Sequence, residues 1–110
     1  MTNVRLNSGS VVQIDENASL TDMQTNCPKF FTNKLYGRET YTTHMGCLIL
    51  RGTITYTGCR PKRETVIYLY LPLGFSDSPG PDMMCVNGYR INSIREAKRL
   101  IDKILEDGSV

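Results

Sequence analysis

No stretch of this chain approaches 18 consecutive apolar residues, so no segment has the length and apolarity of a membrane-spanning helix. The opening run MTNVRLNSGSVVQI lacks the apolar core that a secretory signal needs, which predicts a cytosolic protein. Without export, the sequon Asn17-Ala18-Ser19 carries no meaning. A strong charge of one sign is also missing. Thirteen basic and eleven acidic side chains leave a net charge of +2, whereas a nucleic-acid binder usually shows a strongly basic domain. That balance still leaves room for a local basic patch. Internal repeats and low-complexity tracts are absent, which removes repeat architectures. The phosphate-binding fingerprints G-x-x-x-x-G-K-[ST] and G-x-G-x-x-G do not occur.

Histidine occurs once, at His44, and no two cysteines stand close together. Cys27, Cys47, Cys59 and Cys85 are separated by 19, 11 and 25 residues. Zinc sites use C-x2-4-C or H-x3-5-H pairs, because one tight turn must bring two ligands together. The nearest approach to that pattern is His44-Met45-Gly46-Cys47, with Cys59 and either Cys27 or Cys85 as distant partners. In an unbroken strand, residues three apart face opposite ways, so Gly46 would have to break the strand. A catalytic pair of a cysteine with His44 needs thiolate and base within hydrogen-bond reach, and nothing in the spacing places them so. The default in a reducing compartment is four free thiols acting as small apolar side chains, beside an isolated histidine.

What is present describes one domain spanning residues 1–110. A folded chain of this length buries roughly 65% of the surface its unfolded form exposes, enough for one modest core. Apolar residues make up 40% and charged residues 22%, ordinary values for a globular protein. Val4–Leu6 and Val11–Ile14 flank the turn-like Asn7-Ser8-Gly9-Ser10 and predict a hairpin. Ser19 and Asp22 have capping-box spacing for a short helical turn over 19–24, which Pro28 ends. Phe30–Tyr36 and Glu39–His44 read as strands. Cys47–Thr57 and Thr65–Leu71, rich in β-branched and aromatic residues, read as the two clearest strands, paired as an antiparallel hairpin. Gly52 suggests a bulge in the first of them. Leu73–Asp82, with two prolines and two glycines, reads as a long loop. Asn87-Gly88 between Met84–Val86 and Tyr89–Ile91 predicts a further hairpin. The last element is a helix over 94–106, capped by Ser93 with Glu96 completing the box and stopped by Gly108. Its apolar stripe is Ile94, Ala97, Leu100, Ile101, Ile104 and Leu105. Asp102, Glu106 and Asp107 crowd its C-terminal end, where the helix dipole disfavours negative charge.

The expected fold is therefore α+β, an antiparallel sheet of about five to seven strands with the C-terminal amphipathic helix packed on one face. Alternation puts Leu48, Leu50, Ile54 and Tyr56 on one side of their strand and Arg51, Thr53, Thr55 and Thr57 on the other. Ile67, Leu69 and Leu71 likewise oppose Val66, Tyr68 and Tyr70. The simplest assembly covers the aliphatic side with the helix and leaves Arg51, Tyr68 and Tyr70 on an open face suited to docking a partner. Arg60, Lys62 and Arg63 form a basic loop, and Phe75 lies in the long loop. Arg95, Lys98, Arg99 and Lys103 lie on the outer side of the last helix.

The run Gly88-Tyr89-Arg90-Ile91-Asn92-Ser93-Ile94-Arg95-Glu96-Ala97-Lys98-Arg99-Leu100-Ile101-Asp102 resembles the ends of short phage and prophage accessory proteins, which close with a G-Y-x-I strand, a serine cap and an E-A-K-x-x-I-D helix. The resemblance covers roughly the last quarter of the chain. It implies a mobile-element origin and a small non-enzymatic factor in the bacterial cytoplasm that docks on a host protein complex, with anti-CRISPR proteins as the sharpest form of that idea. It implies no cofactor and no catalytic residue. The expected partner-binding residues are Arg51, Arg60, Lys62, Arg63, Tyr68, Tyr70 and Phe75. The rival reading is direct nucleic-acid binding through Arg60, Lys62, Arg63, Arg95 and Arg99. A third is a zinc-stabilised or cysteine-dependent module built on Cys27, Cys47, Cys59, Cys85 and His44. No membrane is expected as partner, and self-association as a homodimer stays open. Replacing Ser93 by Ala is expected to cost about 1 kcal/mol of stability, read as a lower denaturant midpoint at unchanged m-value.

Overall fold

The computed structural model describes residues 1–32, 37–73, 83–86 and 88–110. Along the chain these form β1 (Thr2–Arg5), β2 (Val11–Ile14), α1 (Leu20–Asn26), α2 (Pro28–Thr32), β3 (Gly37–His44), β4 (Cys47–Tyr56), β5 (Lys62–Pro72), β6 (Met83–Cys85) and α3 (Ile94–Asp107). The fold is α+β and its strand pairs are antiparallel. The strands divide into a two-stranded sheet, β1-β2, and a four-stranded sheet, β3-β4-β5-β6, rather than joining in one.

β4 and β5 are the longest strands and pair without a register break from Leu48↔Tyr70 to Tyr56↔Lys62. Directly opposed residues of an antiparallel pair share a face. Leu48 and Leu50 therefore lie beside Tyr70 and Tyr68, not beside Leu69 and Leu71. The expected grouping of Leu48 and Leu50 with Ile67, Leu69 and Leu71 fails on this register. The face of Cys47, Ile49, Leu69 and Leu71 packs against Ala97, Ile101 and Ile104 of α3 and against Val4 and Ile14 of the β1-β2 hairpin. The opposite face, with Leu48, Leu50 and Tyr70, packs against Met23 and Cys27, and Phe30 and Phe31 close over it. Both faces of this end of the sheet are thus covered, and the open docking face expected there does not exist.

That second cover comes from a segment whose structure the sequence pattern misassigns. Phe30–Thr32 is helical, not extended, and residues 33–36 lie outside the described residues. Pro28 begins α2 instead of ending a segment. At a first helical position its fixed φ is already suitable and its missing N–H would have no partner in any case. The two phenylalanines then meet the sheet together. Phe30 lies 4.8 Å from Tyr70 and Phe31 5.1 Å from Tyr41, ring centre to ring centre. α1 carries the capping box read from Ser19 and Asp22. The Ser19 N–H donates to Asp22 Oδ2 at 2.9 Å, and the Asp22 N–H donates to Ser19 Oγ at 3.2 Å.

α3 starts at the Ser93 cap, whose Oγ accepts from the Glu96 N–H at 3.1 Å. The Glu96 carboxylate reaches one residue further back than a standard box and accepts from the Asn92 N–H at 2.9 Å. Gly108 ends the helix at φ 69°, and its N–H donates to the Ile104 carbonyl. The tail then crosses to β1. The Arg5 N–H donates to the Gly108 carbonyl at 2.8 Å and the Val110 N–H to the Arg5 carbonyl at 3.0 Å. Helix, tail and first hairpin are joined in this way into one cover over the Ile49–Leu69 face.

Two turn expectations also change. Tyr89–Ile91 is not a strand, so no hairpin follows β6, and Asn87 lies outside the described residues. The tight two-residue hairpin is instead Met45-Gly46 between β3 and β4, where His44 pairs with Cys47. Both turn residues have positive φ, 49° and 78°, as a type I′ turn requires. β4 runs straight through Gly52. The bulge is in β3, where Gly37 pairs with Thr53 and Thr40 with Arg51, placing one extra β3 residue opposite Gly52.

Gly46 is required twice over. A Cβ there would fall 2.0 Å from the Asp15 carbonyl oxygen, and positive φ strains any other residue. Gly46→Ala is expected to destabilise by at least roughly 2 kcal/mol, whereas Gly9→Ala, also at positive φ but with nothing near its Cβ, should cost about 1 kcal/mol. Chemical denaturation of the two variants checks the difference.

Candidate functional site

β4 and β5 outrun their neighbours. β3 pairs with β4 no further than Thr53, and β6 pairs with β5 only over Tyr70–Pro72. Among the described residues, Ile54–Tyr56 and Lys62–Glu64 therefore pair only with each other and project from the body as a two-stranded arm tipped by 57–61. Their alternation continues, so the arm has two faces of different chemistry. One carries Ile54, Tyr56, Lys62, Glu64, Val66 and Tyr68. The other carries Arg51, Thr53, Thr55, Arg63, Thr65 and Ile67.

The charge gathers here. Residues 51–67 hold Arg51, Arg60, Lys62 and Arg63 against the lone acid Glu64, net +3, while the whole chain is +2. The rest of the molecule sums to a slight negative charge, so the densest net positive charge of the chain lies around the arm.

The structure sorts the sequence-read site residues accordingly. Arg60, Lys62 and Arg63 belong to the arm and Arg51 to its base, and all four are exposed. Tyr68 is half-buried at the arm's base. Tyr70 is only 7% exposed, packed under Phe30, and is removed from any docking surface. Phe75 lies outside the described residues. Arg95 and Arg99 are exposed on α3, a separate element. Tyr56 was missed. It is 49% exposed, and Glu64 beside it is the main cause that raises its phenol above the usual value. Alternation alone carries no signal for it, because its exposure depends on how far the described part of β3 runs along β4.

The thiols scatter. Cys47 and Cys27 are buried in opposite cores, Cys85 is half-buried, and Cys59 is exposed at the arm tip. Among the described residues no group of three His, Cys, Asp or Glu side chains is placed to hold a metal ion. Burial, helped by the Glu16 charge, pushes the Cys47 thiol up to about 12, and burial also raises Cys85. Neither has the thiolate character a nucleophile needs. His44 is not isolated as expected. Its Nε2 lies 2.7 Å from Asp102 Oδ1, tying the β3-β4 turn to α3. This contact accounts for Asp102, one of the three acids that crowd the end of that helix.

A cavity of about 670 Å³ lies between β2, α1 and the end of β5, lined in part by Val12, Met23, Cys27 and Leu73. The carboxylates at its edge serve the local backbone, Asp15 accepting from the Asn17 N–H and Asp22 from the Ser19 N–H. The arm offers the stronger case, because its basic side chains are concentrated and exposed. With an aromatic disulfide reagent at pH 8, Cys59 is expected to react first, Cys85 slowly, and Cys27 and Cys47 only on unfolding. Cys59→Ser should abolish the fast phase, with absorbance of the released thiolate as the measurement. No family model matches the chain, and no curated protein and no solved structure matches it.

Proposed function

We propose that this chain is a small non-enzymatic binding protein that docks on a host protein complex through the β4-β5 arm. The observation that carries this reading is the pairing of exposed Tyr56, beside half-buried Ile54, Val66 and Tyr68, with a concentrated basic charge on one projecting ribbon. Tyr56, Ile54, Val66 and Tyr68 supply contact area, and Tyr is a favoured interface residue because a large ring ends in a polar tip. Arg60 and Lys62 at the rim supply attraction to an acidic surface and orient the encounter. The resemblance of residues 88–102 to the ends of phage accessory proteins, which keeps the serine cap and helix but not the G-Y-x-I strand, supports a mobile-element origin and action in the bacterial cytoplasm, with the host complex as target. An inhibitor of this kind needs only to occupy a surface.

The full chain immobilised and exposed to nuclease-treated bacterial lysate is expected to retain a protein identifiable by mass spectrometry. Tyr56→Ala should weaken that capture by at least about tenfold, the loss expected for a central aromatic anchor. Arg60→Ala with Lys62→Ala should weaken it less at physiological salt and more at low salt. Capture that disappears with nuclease, or that survives Tyr56→Ala unchanged, would overturn the reading.

A further inference from the structure

We propose that the other face of the sheet, at the base of the arm, holds a binding site for a phosphate group. Thr40, Arg51, Thr53 and Thr65, with the backbone of Gly52, line a cleft of about 260 Å³. The register brings these four side chains together from three strands. Thr40 is directly opposite Arg51, Thr53 is directly opposite Thr65, and Arg51 and Thr53 stand two residues apart on β4. All four therefore point to one face. The cleft sits where the β3 bulge interrupts the ladder against Gly52.

Its side chains are one guanidinium and three hydroxyls, all able to donate to an anion, with Ile67 as the apolar neighbour across from Arg51. Among the described residues no carboxylate pairs with Arg51, and the hydroxyls of Thr40, Thr53 and Thr65 bond to no other side chain. The only other charge on this face of the arm is Arg63, of the same sign. A guanidinium fork with three hydroxyls around a concave surface can donate to several oxygens of one anion at once. A planar carboxylate is satisfied by the fork alone. A tetrahedral oxyanion has further oxygens, and these can meet the threonines on the flanking strands. The site is independent of the protein-docking reading, which uses the opposite face.

Titration of the isotope-labelled full chain with inorganic phosphate, followed by amide NMR, tests the site. The Thr40, Arg51, Thr53 and Thr65 signals are expected to move saturably with phosphate, and not with acetate or chloride at matched ionic strength. Arg51→Ala should weaken the response at least about tenfold, since charge-assisted bonds are lost. Arg51→Lys, which keeps the charge but not the fork, should weaken it by less. Thr53→Val with Thr65→Val removes hydroxyls at constant shape and should also weaken it, which separates the site from simple charge attraction. Equal movement with acetate, no movement with phosphate, or a response unchanged in Arg51→Ala overturns the proposal. Two further probes identify where the phosphate comes from. A short DNA duplex that moves the same signals at much lower concentration, with affinity falling steeply as salt rises, assigns it to a nucleic-acid backbone. A nucleoside monophosphate that matches or exceeds the duplex assigns it to a small molecule.

Discussion

The uninterrupted pairing of β4 with β5 governs the rest of this molecule. With Leu48 opposite Tyr70 and Ile49 opposite Leu69, both strands are apolar on both faces at one end. Such a ribbon is stable in water only if each face is covered. The chain supplies two covers of different construction. α3, the first hairpin and the C-terminal tail close one side. α1 and α2 close the other with Met23, Phe30 and Phe31. The sheet is shared by two small cores, and a one-residue slip between β4 and β5 would exchange the residues each core receives.

The same pairing sets the limit of the body. Both covers stop near Arg51 and Ile67, beyond which β4 and β5 carry mostly threonine, lysine, arginine and glutamate, with Ile54, Tyr56 and Val66 left on one face. Composition changes along the two strands together, because paired positions share one environment. The Met45-Gly46 turn anchors the covered end. Its glycine lies against the Asp15 backbone, so the first hairpin and the main sheet meet at a point that admits no side chain. The His44–Asp102 contact holds the same end to α3. It is partly exposed and so contributes orientation more than stability.

Local signals were legible wherever a short-range rule was decisive. Ser93, Gly108 and the stripe through Ile101 and Ile104 define α3, and Ser19 with Asp22 defines the start of α1. The Cys47–Thr57 and Thr65–Leu71 pair was equally plain from its β-branched run. What escaped was set by contacts distant in sequence. Phe30 and Phe31 suit a strand by propensity, yet they are helical because that conformation carries both rings onto Tyr70 and Tyr41. Asn87-Gly88 satisfies the usual hairpin rule, while the tight turn went to Met45-Gly46, where a methionine tolerates positive φ. The open face failed for the same reason, since alternation gives the two faces of one strand but not its register against the next. Of the site residues, the basic ones were legible from clustering alone. Tyr56 and the threonine cleft required knowing where β3 ends.

The charges on the arm have a competing explanation that the structure can weigh. An unpaired strand edge invites association with other chains, and natural proteins guard such edges with lysine, arginine and other charged residues. Lys62, Arg63 and Glu64 lie on β5, which among the described residues has no neighbour but β4 at this level. Edge protection is sufficient reason for them. It does not explain Arg51. β4 at Arg51 is paired on both sides, with Thr40 across one ladder and Ile67 across the other, so no edge is exposed there to guard. A guanidinium on an interior strand, without a described carboxylate partner and flanked by the hydroxyls of Thr40, Thr53 and Thr65, is not accounted for by edge protection. Its presence is better explained by what it can bind than by what it supports.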